Sequence, residues 1–485
     1  MAHSQSLRLK PAMLALTLPL LAVALSACAT LPKDQDRATI ADLIHQRQPA
    51  FVTTGNRGLD VLMAKPMTLD GAVQMAIVKS PRLAIIYGQL GLDQADISDA
   101  LEVANPRLGL SSLSAGAGGG KVETQSLGLP IADMILLPSR VKLAERARAR
   151  AHDQLASDLL DVQLDVEAAW YQAVAAEQAA QMKGAVASAL KTSSDLAERY
   201  FNAGNISELD LNREQAAASQ ALIAAQQAAV SAKAARATLD ILIGLSPTAD
   251  PWPLSPTLPL PIEVDDNVGD LQALALTHNL SLLAADQDLL IWDQVTATRR
   301  ATQWLGDTAL GLGRERDRDG VRSSGLSLDL ELPIFNQGQA KTARLNAKRD
   351  LARAQKAQLR LTLSHQIAAK ADELQRRRQL VALHSHDLIP QRQTIVARSQ
   401  EQQSYMLLGV FGLIEAKTRE YEAYQGYIEA VRDYWLTRVE LTRLVGTRLP
   451  STPTTLEVGP SASDILEPSR SEPMPHHDHD HAGRP

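Results

Sequence analysis

The sequence predicts a mainly helical chain with a small β part, built as two copies of one unit. Three observations predict it. Short motifs recur at an offset of roughly 200 residues: Leu129-Pro130-Ile131 returns as Leu332-Pro333-Ile334, and Tyr200 then Gly204 returns as Tyr405 then Gly409. From Ser139 to Leu245 there is no proline, and apolar residues fall at helical spacing. Each copy also holds two short segments in which apolar and polar residues alternate as in strands. The order in each copy is short helix, two strands, a very long helix, a tight reversal and another long helix. Such a unit, duplicated, suggests a tube rather than a globule.

The chain opens with Arg8 and Lys10, followed by an apolar stretch from Met13 to Leu25 that is too short to span a bilayer. Leu25-Ser26-Ala27-Cys28 then matches a lipobox, which makes 1–27 a signal peptide and Cys28 the acylated N-terminus. The plain alternative is a buried free cysteine after an ordinary signal peptide. Ala29 follows, where lipoproteins kept at the inner membrane carry Asp, so sorting points to the outer membrane. Residues 28–66 read as a polar lead segment.

The first repeat spans 67–246. Thr68 is placed to cap a helix through Ile77, and a second helix runs from Arg82 to about Val103, where Asn105-Pro106 ends it. Leu108, Leu110 and Leu113 mark a strand to about Ala115, Gly116–Gly120 a turn, and Thr124–Ile131 the return strand, with Leu127, Leu129 and Ile131 on one face. The long arm is expected from Ser139 to Tyr200, about 60 residues or about 90 Å as a helix. Leu155, Leu159, Val162, Val166, Ala169, Ala173, Ala176 and Ala180 step by four and three, a heptad seam. Ile223, Val230, Ala234, Ala237 and Ile241 give the returning arm its own seam.

Residues 247–262 form a proline-rich linker. In the second repeat, 263–449, helices are expected near Val268–His278 and Leu280–Arg300. A strand over Thr302–Gly313 places Trp304, Thr308, Leu310 and Leu312 on one side. Arg314–Asp319 reads as a charged loop closing at Asp319-Gly320. Leu326, Leu328, Leu330 and Leu332 then oppose Ser327, Asp329 and Glu331. Such strands suit either a half-buried soluble sheet or a barrel wall with lipid outside and water inside. Helix follows from Gln339 to Leu388, Pro390 should break or kink it, and the chain reverses near Gly409 to return to Gly446. Residues 450–485 are expected to be a disordered tail.

Composition narrows the function. Aromatics are 4%, so a large aromatic core is not expected, and a net charge of −6 gives no general drive toward nucleic acid. One cysteine excludes a disulfide framework and a Cys-based zinc site. No Ser/His/Asp grouping, phosphate loop or His-Glu-x-x-His occurs, so an enzyme is not expected. His476, His477, His479 and His481 alternate with Asp478 and Asp480 in a tract whose imidazoles and carboxylates suit Zn²⁺, Ni²⁺ or Cu²⁺, or which is simply a solvated tail.

Taken together, the duplicated plan, Asn105-Pro106 before a strand, Leu-Pro-Ile after each second strand and the glycine at each reversal resemble the TolC family of bacterial outer-membrane efflux channels. The resemblance covers about 66–449. It implies a homotrimer with an α-barrel tunnel and a 12-stranded β-barrel. It also implies a periplasmic adaptor and an inner-membrane efflux transporter as partners. Adaptor contact maps onto Ala203-Gly204-Asn205 and Leu408-Gly409-Val410. Glu415 falls where an acidic ring constricts the pore, with Thr418 where a second acid is usual, and Phe411 replaces a polar gating contact. The cargo expected first is metal ions, then drugs. The rival reading is a periplasmic coiled-coil scaffold or adaptor lipoprotein with a soluble sheet, although no lipoyl-like region flanks the hairpins. No cofactor is expected beyond lipid on Cys28 and metal on the tail.

Overall fold

The computed structural model describes residues 66–114, 120–247, 252–302, 308–329, 334–335, 337–453 and 456–466. The first repeat contains α1 (Leu69–Lys79), α2 (Pro81–Leu101), β1 (Arg107–Ser114), β2 (Lys121–Pro130), α3 (Ile131–Asn202) and α4 (Glu208–Ile243). The second contains α5 (Val268–His278), α6 (Leu280–Thr302), β3 (Ala309–Arg316), β4 (Arg322–Asp329), α7 (Gln339–Ala382), α8 (Ile389–Ser404) and α9 (Val410–Val445), and α10 (Ala462–Leu466) follows. Among the described residues no helix is long and apolar enough to cross a membrane.

The two repeats start alike. The Thr68 hydroxyl accepts from the Gly71 amide at 3.2 Å, and the Asn267 side-chain oxygen Oδ1 accepts from the Gly269 amide at 2.8 Å. The long helix α3 begins at Ile131, eight residues before the expected Ser139, and holds Pro138 inside it. That proline forfeits one bond, to the carbonyl of Met134, a residue 60% exposed and so open to water. Ile131 therefore starts a helix rather than ending a strand. With 72 residues α3 is about 108 Å long. Pro390 does not break the second arm. A π-helical turn at Leu383–Leu388 precedes it, and its wider ring absorbs the missing donor.

The strands form one antiparallel sheet in the order β1-β2-β3-β4, so the repeats meet at β2 and β3. The second hairpin turns later than expected. Arg314, Glu315 and Arg316 belong to β3, and the turn closes where the Gly320 amide donates to the Asp317 carbonyl at 2.9 Å. Thr302 ends α6 instead of opening a strand. Trp304, Leu330 and Leu332 lie outside the described residues.

The helices also lie in rows. Next to the sheet, α2 packs on α3, α3 on α6, and α6 on α7; toward the reversals, α4 packs on α3, α3 on α9, and α9 on α8. The expected seam of α3 is buried from Leu155 to Ala173, with Leu159 and Val166 nearly inaccessible. The expected seam of α4 is not. Ile223, Val230 and Ile241 are exposed, and Ala228, Ala232, Leu239 and Ile243 turn inward instead. The hairpin packs through a face rotated from the more apolar one, which is left on the outside of the chain.

The core lies midway along the helices. Few aromatics occur, yet four gather there: Tyr171 stacks on Trp435 at 5.1 Å, with Trp170 and Tyr434 edge-on to them. Their polar atoms hold the connecting segments. Trp170 donates to the Met67 carbonyl at 3.0 Å, Trp435 to the Pro259 carbonyl at 2.8 Å, and the Ile262 amide donates to the Tyr434 hydroxyl at 3.1 Å. The linker between the repeats is thus a strap with Trp252, Leu258 and Ile262 buried. The tail expected to be without structure has one over 456–466. Leu260 donates to the Glu457 carbonyl at 2.7 Å, and α10 buries Ala462 and Ile465.

Candidate functional site: the strand wall and the helical reversals

Strand pairing decides which side chains share a face. Leu108, Leu127, Leu312 and Leu326 lie directly across from one another in one row; Leu129, Leu310 and Leu328 form the next. Successive residues point to opposite faces, so Gly109, Ser126, Gly128, Gly311, Gly313 and Ser327 line the other side. Most of these leucines are bare within the chain, Leu108 at 68% and Leu326 at 74% exposure, while Leu129 and Leu310 are half-buried. A contiguous apolar patch of this kind needs an apolar partner. Among the described residues both outer strands, β1 and β4, also present an unpaired backbone edge. Toward the turns the leucine face becomes charged, with Glu123 opposite Arg316 and Arg314 opposite Gln125.

The reversals are built alike but from different residues. At the first, the Gly204 amide donates to the Phe201 carbonyl and the Asn205 amide to the Tyr200 carbonyl, both at 2.8 Å, a Schellman closure with Gly204 at φ +73°. Ala203 and Asn205 flank it, exposed, and the Ser207 hydroxyl caps α4 by accepting from the Asp210 amide at 3.2 Å. At the second, the Met406 amide donates to Gln403 and the Leu407 amide to Gln402, both at 2.9 Å. The residue equivalent to Gly204 is therefore Met406, at φ +60°, and not Gly409. Gly409 is the N-cap of α9 with extended backbone, the counterpart of Ser207. The shared offset is 202 residues, three fewer than the Tyr-Gly motif suggests.

Tyr405, Met406 and Leu407 form an exposed apolar knob, Met406 at 92% exposure. Leu408 and Val410 are half-buried. Gly412 leaves room for the Leu408 side chain, since a Cβ there would meet Leu408 Cδ1 at 2.7 Å. Phe411 packs edge-on against Tyr200 at 6.0 Å and so ties one reversal to the other. Glu415 accepts from Arg419 at 3.3 Å on the exposed face of α9. Phe411, Glu415 and Thr418 line a cleft of about 720 Å³ together with Lys183, Arg213 and Glu214 of the first hairpin. Those three charges were missed from the sequence. The Glu415–Arg419 spacing of four was legible as an ion pair.

A second cavity, of about 540 Å³, lies at the core level and is lined by Thr68, Asp70, Gln163, Glu167, Tyr171 and Arg438 among others. Gln163 donates to Glu167 at 2.9 Å and leaves its own buried carbonyl oxygen without a partner. Among the described residues no cation pairs with Glu167, and burial pushes its carboxyl up to about 7. Burial likewise raises the Tyr171 hydroxyl. Arg438 is buried and donates to the Ser451 and Thr452 hydroxyls at 3.1 and 2.6 Å.

Cys28 and the tract His476, His477, His479 and His481 lie outside the described residues. Among the described residues no group of three His, Cys, Asp or Glu side chains is placed to hold a metal ion.

No protein-family description and no curated protein matches this sequence. Solved structures do match it in fold. The chain is similar to the CmeC outer-membrane channel of Campylobacter jejuni, with TM-score 0.65 and 13% identity over 78% of this chain and 85% of that one. It is similar to the outer-membrane protein VceC of Vibrio cholerae, with TM-score 0.64 and 14% identity over 78% and 96%. For the outer-membrane channel OprN the values are 0.62 and 16% over 82% and 94%. CmeC and OprN are outer-membrane channels, and this chain shares its fold with them and with VceC, the fold expected from the resemblance to the TolC family.

Proposed function

We propose that the chain is the outer-membrane component of a tripartite efflux pump, a passive exit duct with no energy source of its own. One observation carries this reading: a sheet with aligned leucine rows on one face, Gly and Ser on the other, and both edges open, joined to a helix about 108 Å long. Open edges are not tolerated in lipid. Four strands cannot close a barrel, whereas three copies supply twelve. The leucines then face lipid and the Gly/Ser face lines water.

The helices carry the duct into the periplasm. The reversals, through Ala203-Gly204-Asn205 and Leu408-Gly409-Val410 together with the exposed knob Tyr405-Met406-Leu407, meet a periplasmic adaptor, and an inner-membrane transporter supplies the drive. Phe411 and Glu415 stand at the constriction. Lipid on Cys28 anchors the lead segment. Metal ions are the first cargo expected and drugs the second, with the His/Asp tail a metal-binding element. Purification from outer-membrane fractions tests the core of this reading. Heat-modifiable trimers that conduct in planar bilayers are expected. A chain that stays monomeric and needs no detergent once its anchor is removed would overturn it.

A further inference from the structure

The chain ends sideways in two different edges. One consists of β1, α2 and α4, the other of β4, α7 and α8. Both leave apolar side chains uncovered: Ile85, Leu92 and Val230 on the first, Leu351, Leu361 and Leu383 on the second. Their charges are opposite. Residues 93–101 of α2 carry Asp93, Asp96 and Asp99 with no cation, whereas residues 339–360 of α7 carry seven cations and one carboxylate.

The two stripes also agree in height. Asp99 and Asp96 lie two and five residues before the strand end of α2; Lys341 and Arg344 lie two and five residues after that of α7. At about 1.5 Å per residue, each pair sits about 3 and 7.5 Å from the strand end. All four are exposed, and none has an ion-pair partner among the described residues. Farther from the strands both stripes turn apolar at heptad spacing. Asp99 leads down to Leu92 and Ile85, and Lys341 and Arg344 lead down to Leu351.

We propose that α2 of one copy docks beside α7 of the next, with Asp96 and Asp99 facing Lys341 and Arg344. Opposite charge then selects which edges meet and fixes their relative height, while the apolar residues below supply buried area. The inference rests on the reading of the chain as a ring of copies. It adds the identity of the joined edges and the residues that choose them. Because the edges differ, the contact is head-to-tail and repeats around a ring.

Charge reversal tests it in the full-length protein extracted from outer membranes. Asp96→Lys with Asp99→Lys, and separately Lys341→Asp with Arg344→Asp, are each expected to lower the assembled fraction about tenfold or more at low salt. All four changes in one chain are expected to restore assembly, since each edge again meets its opposite. Co-expression of the two double variants is expected not to restore it, because alternating charges cannot close a ring of three. Helicity by circular dichroism identifies any variant that has not folded. Wild-type trimers with unaffected double variants would overturn the inference and leave the channel reading standing. A folded fourfold variant that stays unassembled would do the same. A wild-type chain that forms no ring would remove both.

Discussion

Substitution of Leu312 by Arg separates a lipid-facing wall from a soluble sheet. Leu312 sits in the middle of a four-leucine row, between Leu127 and Leu326, and is 50% exposed within the chain. A cation on the lipid face near the bilayer midplane costs about 2–4 kcal/mol. Per chain that is roughly 30- to 900-fold in the equilibrium between inserted and uninserted states. Ser126 is the control. It is paired with Gly313, one residue along and on the opposite face. An Arg there points into water and is expected to cost little insertion. The assay is the fraction of protein recovered as heat-modifiable oligomer from outer membranes, or inserted into vesicles after dilution from urea. Leu312→Arg is expected to lose most of that fraction and Ser126→Arg to keep it. Equal tolerance of both would refute the wall. Loss on Ser126→Arg alone would mean that the faces are assigned backwards.

Three more outcomes follow from particular residues. Glu167 ionises near 7 in the folded chain and near 4.5 when unfolded, so the folded state holds the extra proton between those values and stability falls as pH rises through that window. Glu167→Gln is expected to raise the melting temperature above pH 7, by the equivalent of about 3 kcal/mol, with the gain fading toward pH 4.5; a gain independent of pH would refute this. Gly204→Ala is expected to cost about 1 kcal/mol and Met406→Gly to gain a similar amount, because both positions hold left-handed backbone; thermal melts giving the reverse order would discard the reassigned equivalence. Glu415→Gln is expected to lower cation selectivity in bilayer recordings, by less than a bare carboxylate would, since Arg419 already partners it; unchanged selectivity ends its role as a constriction.

Much of the fold was legible because its periodicities are long. The seam on α3 spans many turns, and each step repeats the same physical demand, so Leu155 to Ala173 end where the pattern puts them. Alternation in β2, β3 and β4 likewise fixed the leucine face. Local chemistry failed where one residue can serve two roles. Gly409 looks like the second reversal's glycine, yet the left-handed position falls to Met406, which the surrounding hydrogen bonds hold there. Ile223, Val230 and Ile241 looked like a seam because they are apolar at heptad spacing; the alanines beside them allow closer backbone approach, and the hairpin took that face instead.

Sequence by itself determined most helix and strand types, the Thr68 cap, the buried seam of α3 and the leucine face of the strands, since each depends on neighbours within a turn or a pleat. Only the tertiary structure decided the pairing of β2 with β3 across the repeats, the strap that ties the linker and tail to the aromatic core, and the isolation of Glu167 in its cavity. These depend on residues far apart in the chain, such as Gln178 with Pro256 and Pro460, 78 and 282 positions away. Contacts at that separation leave no local pattern, because what selects them is the shape and burial of the assembled chain.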